Sequence, residues 1–275
     1  MDSEELAEQV EKRTTSPTPI IYGAVRQLGE DEMDRPAVSL WWSGFAAGLS
    51  ISFSLLAQAN LAMHLPDAPW RHLVVAMGYP VGFLIVVLSR QQLFTENTIT
   101  VILPVLAEPT GKNLGRAARL WGIVLAANLA GTLAVALFLA FTPAVPTDVR
   151  TEMLTISRHT LDHDWVEMGF LGIISGYLMA TLVWLIPSAG VAQFHIVFLI
   201  TYLIAQGEFT HIVAGSVEAF LLLAIGEIAL GQMITGFTLP VLAGNIVGGT
   251  ALFALISYAQ VMREVGNATP RAPKS

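Results

Sequence analysis

The chain has 275 residues, 54% of them hydrophobic and only 13% charged, with a formal net charge of −7 and a mean hydropathy of +0.62. A soluble domain of this size carries about 25% charged residues, so these figures exclude an ordinary water-soluble globule, and no long basic run points to nucleic acid. The absence of cysteine excludes a disulfide framework, a zinc-thiolate site and a thiol nucleophile.

In chain order, residues 1–19 are acidic and polar. They lack the positive n-region and apolar h-region of a signal peptide, and are expected to remain in the cytoplasm as a loosely attached tail. Residues 20–36 read as a short amphipathic helix ending near Pro36. Six hydrophobic regions follow, at roughly 37–61, 72–107, 117–141, 166–186, 191–223 and 228–260, each long enough for the ~20 residues that cross a hydrocarbon core. The tail after Arg263 is polar and contains two prolines. The expected organisation is a cytoplasmic segment 1–36, a six-helix membrane domain 37–262 and a cytoplasmic tail 263–275.

Regions two and five are longer than one span requires, and polar residues interrupt both at mid-depth. The first break runs from Ser89 to Asn97 (SRQQLFTEN) and the second from Ala205 to His211 (AQGEFTH). Lipid cannot hydrate the N–H and C=O groups of non-helical backbone, so such breaks are tolerated only inside protein or along a water-filled cavity. The stretch Gln91 to Glu96 aligns with Gln206 to His211 at an offset of 115, sharing Gln, Phe and Thr. At nearly the same offset Asn128-Leu129-Ala130-Gly131-Thr132 resembles the stretch from Asn245 to Thr250, and Gly44 and Gly48 find counterparts in Gly172 and Gly176. The chain therefore divides into two three-span halves, and an odd number of spans per half makes the halves inverted in the membrane. Lys and Arg set the orientation. With the N-terminus inside, ten lie in cytoplasmic segments and three (Arg71, Arg150 and Arg158) outside, so both termini are expected in the cytoplasm.

His211 stands where the returning half of region five begins. A histidine changes charge near its ordinary pKa of about 6.5, and half-helix N-termini aim N–H groups at whatever occupies a break. The expected guest is a small anion or its conjugate acid. Thr95, in the other break, can donate to a carboxylate or nitrite oxygen or bond the imidazole. Leu93 and Phe94 could form an apolar gate that excludes hydrated ions. A plainer structural reading stands beside each of these. A membrane histidine can simply bond a neighbouring carbonyl, which is the favoured reading for His195. Thr95 can re-satisfy freed backbone, and Phe94 and Phe209 can be core. Glu96 and Glu208 are expected to bond the N–H groups of the breaks, with Asn97, Asn128 and Asn245 as support between helices. Arg150 and Arg158 are outer-loop charges that either stay solvated or steer anions.

These segments resemble the formate/nitrite transporter family, and the N-terminal stretch GEDEMDRPAVSLWWSGFAAGLSISFS (residues 29–54) looks like its less-studied branch. The first break of that family carries a Leu-Phe-Thr motif, here Leu93, Phe94 and Thr95. Its second carries Phe-x-His, here Phe209 and His211, and its last helix a Gly-Asn-x-x-Gly-Gly stretch, here Gly244, Asn245, Gly248 and Gly249. The similarity covers about residues 20–262, with the motifs in the right order. The resemblance implies an all-α, aquaporin-like six-helix protomer with helices 2 and 5 broken. It further implies a homopentamer with one pore per protomer and passage of small monovalent anions or weak acids such as formate or nitrite. Thr95 and His211 are then the central pore residues, and Leu93, Phe94 and Phe209 the constrictions. Two features depart from the pattern. Ile212 and Gly215 stand where the family has Ser and Asn, and Arg158 is the nearest substitute for its lysine between helices three and four.

The expected activity is therefore a channel in a bacterial plasma membrane, embedded in lipid, without metal or cofactor, and with proton transfer near His211. The alternative is an aquaporin-like channel for small neutral solutes, although no Asn-Pro-Ala tripeptide occurs. A membrane enzyme would need a Ser–His, paired-Asp or metal-ligand set at depth, but the only mid-span acids are isolated glutamates, and no HExxH or paired aspartates appear.

Overall fold

The computed structural model describes residues 17–266, with side chains described as far as Met262, so the expectations for the two extreme tails lie outside the described residues. Every regular element among them is helical. Helix α1 (Thr18–Asp34) is bounded by Pro17 and Pro36, which cannot continue a helix from within. Its buried positions Tyr22, Val25, Gly29 and Met33 recur every three or four residues, which seats one face on the protein.

Helix α2 (Ala37–His64) crosses first, and α3 (Arg71–Leu88) follows. After the first break comes the shorter apolar α4 (Phe94–Ala107), then α5 (Gly111–Phe141), whose start is capped by the Thr110 hydroxyl on the Asn113 N–H. Helix α6 (Thr147–Thr160) occupies the segment expected as an outer loop. It buries Val149, Met153 and Ser157, with Leu154 and Ile156 packed beside them, but these few apolar residues are scattered among polar ones, which is why hydropathy alone passes over it. Helix α7 (Trp165–Ala189) starts in a capping box between Asp164 and Glu167. A 3₁₀ turn at Gly190–Ala192 leads into α8 (Gln193–Gln206), with Gly190 at a φ of 49° making the corner. The second break leads to α9 (Ala214–Ala224), and α10 (Leu230–Met262) closes the fold.

By length and apolarity, five helical stretches suffice to cross a membrane: α2, α3, α5, the joined Trp165–Gln206 and α10. Alone, α8 reaches about 21 Å and α9 about 17 Å at 1.5 Å per residue, short of a ~30 Å core. The halves of an interrupted region therefore depend on neighbours for burial.

Helix α2 packs on α5, and α7 on α10, through glycines that admit backbone against backbone. A Cβ on Gly48 would lie 2.2 Å from the Asn128 carbonyl oxygen, and one on Gly176 would lie 2.4 Å from that of Asn245. Two π-helical stretches, Met233–Thr238 and Val247–Ala254, widen α10. In the second, Thr250 donates to the Thr98 carbonyl (2.7 Å), tying α10 to α4. Large apolar side chains such as Trp42, Phe141, Phe170 and Leu199 face outward, as a lipid-facing surface requires.

Candidate functional site

Both breaks leave their helix by the same device. Arg90 and Glu208 adopt φ of 54° and 55°, and the next residue donates back across the end of the helix: Gln91 N–H to Val86 (3.0 Å) and Phe209 N–H to Ile204 (3.0 Å). This is the six-to-one closure of a Schellman end, made here without glycine. The matched pair sets the repeat at a separation of 118 (Arg90 to Glu208), three residues beyond the sequence alignment at 115. Leu93 therefore corresponds to His211, and Phe94 to Ile212. The shared Gln, Phe and Thr letters had pulled the alignment out of step with the backbone.

Two asparagines then satisfy the non-helical backbone. The Asn128 side chain donates to the carbonyls of Gly44 (2.8 Å) and Gln92 (2.9 Å), and its Oδ1 accepts from the Phe94 N–H (2.9 Å). The Asn245 amide nitrogen lies within hydrogen-bond reach of the carbonyls of Gly172 (2.9 Å) and Thr210 (3.1 Å) and of Ser175 Oγ (2.9 Å), which share its two hydrogens, and its Oδ1 accepts from the Ile212 N–H (2.9 Å). Each asparagine ties its break to the GxxxG helix of its own half, and buried amides of this kind must be fully paired to be tolerated.

The breaks meet at Thr95 and His211, whose Oγ1 and Nε2 are 2.8 Å apart and almost wholly buried. His211 Nδ1 accepts from the N–H groups of Val213 (3.3 Å) and Ala214 (3.1 Å). That network assigns the ring hydrogen to Nε2, which donates to Thr95, and it leaves the Thr95 hydroxyl proton outside this bond. It also changes the expected role of the half-helix ends. The N–H groups of Phe94, Ile212, Val213 and Ala214 are already engaged by side chains, so none of these four is a bare backbone donor. The edge of His211 packs on Phe83 of α3 (ring centroids 5.1 Å), and Phe94 is backed edge-on by Trp121 (5.6 Å). Ser216 and Thr132 join the halves again at 2.8 Å.

A cavity of about 370 Å³ opens toward the end that carries α6, and His211 forms part of its lining with Tyr79, Phe209, Gly215 and Glu218. A Cβ at 215 would lie 2.7 Å from the Phe237 ring, so any side chain there would have to displace that ring. Higher on the wall Arg71 bonds Glu152 (3.1 Å). Glu208, expected to bond the N–H groups of the break, instead turns its carboxylate to His159 (3.2 Å), and Glu96 bonds none of them either. Arg158 pairs with Glu227 through two hydrogen bonds on the exterior and is absent from the cavity wall; Arg71 is the guanidinium found there.

Asn97 lies on the far side of the first break. It donates to Gln92 Oε1 (3.1 Å), Gln92 donates to Glu32 of α1 (3.0 Å), and Thr100 donates to the same carboxylate (2.9 Å). Burial raises the Glu32 carboxyl above its ordinary range, against the opposing effect of those two hydrogen bonds. His195 lies outside this site, edge-on to Phe194. Sequence reasoning missed Tyr79, Phe83, Ser175 and Glu218. The first two sit one helical turn apart, a spacing that an uninterrupted apolar run conceals, and Glu218 is a lone acid in the same kind of run. Among the described residues no group of three His, Asp or Glu side chains is arranged to hold a metal ion.

Residues 20–259 match the sequence profile of the family described as formate/nitrite transporter. The chain is 44% identical to the inner membrane protein YfdC of Escherichia coli (strain K12), over 94% of this chain and 83% of that protein. It is 26% identical to the formate channel FocA of Haemophilus influenzae, over 78% and 84%. Among solved structures it superposes on an FNT family ion channel with a TM-score of 0.75 and 19% identity, covering 88% of this chain and 98% of that one. A pentameric formate channel with formate bound gives a TM-score of 0.71 at 20% identity, covering 82% and 98%. At that identity these two show the fold.

Proposed function

Because the chain belongs to the formate/nitrite transporter family, we propose that it is a membrane channel for small monovalent anions, formate or nitrite or a similar weak acid. The observation that carries this reading is the buried Thr95–His211 pair, set where the two breaks meet and reached through a cavity. The Thr95 hydroxyl donates to an oxygen of the guest, and His211 Nε2–H strengthens that donor by bonding behind it. Leu93, Phe94 and Phe209 are the constrictions, where an ion would have to shed water at high cost. The guest therefore crosses them as a neutral acid, having gained its proton in the cavity near His211.

The architecture we propose is six spans in two inverted halves, aquaporin-like, with α3–α4 and α8–α9 as the broken spans. The matched Asn128 and Asn245 clamps and the shared helix ends at Arg90 and Glu208 support it. Both termini lie in the cytoplasm of a bacterial cell. Arg26, Arg116 and Arg119 gather at the α1 end of the molecule, paired with Glu30, Asp34 and the Arg35 carbonyl, as the positive-inside rule asks of that face. A homopentamer with one pore per protomer places part of the exposed apolar surface between copies and the rest against lipid.

Flux into proteoliposomes tests the reading, with formate and nitrite compared with glycerol and water from about pH 5 to pH 8. Anion uptake that rises toward acid pH and is abolished in a folded His211→Ala protein is the expected result. Passage of neutral solutes alone, without pH dependence, would replace it with the aquaporin-like alternative.

A further inference from the structure

Glu218 is buried in α9, its Oε2 has no hydrogen-bond partner among the described residues, and it lines the same cavity as His211. An unpartnered carboxyl oxygen at this depth is costly and needs a ligand that carries a hydrogen. The obvious proton carrier, His211, is poorly placed for the task. Its Nδ1 lone pair is taken by two backbone N–H groups, and its Nε2 already holds the ring hydrogen facing Thr95. Protonating it would break the cap on α9.

We propose that Glu218 is the residue that exchanges the proton with the solute, while His211 and Thr95 only orient and stabilise the guest. The step balances simply. The guest carboxylate or nitrite oxygen forms an O–H bond as the Oε2–H bond of protonated Glu218 breaks; the acid moves on, and Glu218 regains a proton from cavity water. In the reverse direction the neutral acid gives its proton to Glu218.

The surroundings suit a proton antechamber rather than an anion trap. α6 presents Glu152 and His159, and α3 presents Arg71, His72 and Tyr79. The second break adds Glu208 and His211, and the connecting segments add Asp67 and His163. Among the described residues, α5 and α10 add no titratable group to the wall. Arg71 bonds Glu152, which leaves the carboxyl groups of Asp67, Glu208 and Glu218 as the excess acidic groups on the wall. Such a wall repels free anions and concentrates protons.

This inference rests on the proposed anion-channel reading, and the experiment separates the two. Proteoliposomes holding a pH-sensitive dye report proton entry alongside formate uptake, for wild type, Glu218→Gln and Glu218→Asp. Wild type is expected to take up formate with protons, faster at acid pH. Glu218→Gln, an isostere with unchanged thermal melting, is expected to lose the pH dependence and about tenfold or more of the acid-pH rate, and Glu218→Asp to recover part of both. A folded Glu218→Gln protein with the wild-type pH profile and proton entry overturns the Glu218 assignment and leaves the channel reading intact. Should Glu218→Gln fail to fold, Glu218→Asp decides: a profile identical to wild type overturns the assignment, and a shifted one supports it. Wild type that moves no formate at any pH overturns both.

Discussion

Asn245→Ala is the sharpest probe of how the second break is held. The substitution removes the acceptor of the Ile212 N–H, for which no other partner exists among the described residues, and orphaning a buried donor costs about 1–3 kcal/mol. The two hydrogens of the Asn245 amide are also lost, but the Ser175 hydroxyl still offers its one proton to the Thr210 or the Gly172 carbonyl, so this loss adds only about 1 kcal/mol. A total of about 2–4 kcal/mol corresponds to roughly 4–16 °C in Tm for a chain of this size. Thermal melting in detergent, followed by loss of the monodisperse peak, measures the shift, and anion flux measured below the new Tm should fall with it because Ile212 adjoins His211. Asn245→Asp keeps the acceptor and loses the donors, so it should lie between. An Asn245→Ala protein that melts with wild type and conducts normally would refute the idea that this side chain carries the break.

Gly48→Ala forces a Cβ to 2.2 Å from backbone and should cost several kcal/mol or abolish folding, whereas Gly111→Ala, with open space around it, should be close to neutral in the same melting assay. Arg90→Gly and Glu208→Gly remove left-handed strain at non-glycine positions, and each should raise Tm by an amount equivalent to about 1 kcal/mol. Docking of α1 should weaken as pH rises. Burial lifts the Glu32 carboxyl, so folding binds its proton more tightly; the stabilisation is complete below the unfolded pKa and disappears as pH rises through the folded one. The chain has no cysteine, so a spin label on Gly23→Cys reports α1 mobility across pH, and Glu32→Gln should flatten that response.

The breaks and the asparagines that hold them were readable because lipid allows unpaired backbone nowhere else. Gln91 to Glu96 and Gln206 to His211 stood out as polar letters in apolar runs, and Asn128 and Asn245 stood out for the same reason. The repeat register was harder to read. Side chains can drift while the helix end at Arg90 and Glu208 is conserved in geometry, so matching Phe94 to Phe209 misplaced it by three residues. α6 escaped because its few apolar residues are scattered among polar ones. The cavity wall escaped because it is assembled from five separate segments, and nothing local in Glu218 or Arg71 says that they face one another's space. The same holds for Glu208, whose partner His159 lies on a different element.

The two asparagine clamps also bear on how such a chain can be built one span at a time. Every partner of Asn128 lies between Gly44 and Phe94, and every partner of Asn245 lies between Gly172 and Ile212. The first interrupted helix can therefore be tied off as soon as α5 emerges from the ribosome, before any of the second half exists. The bonds between halves, Thr95 to His211 and Thr132 to Ser216, form only when the second half docks. A nascent chain stalled between the halves would thus sit in the bilayer with its own backbone sealed and no conducting path, a safe waiting state for a protein whose finished form is a hole in the membrane.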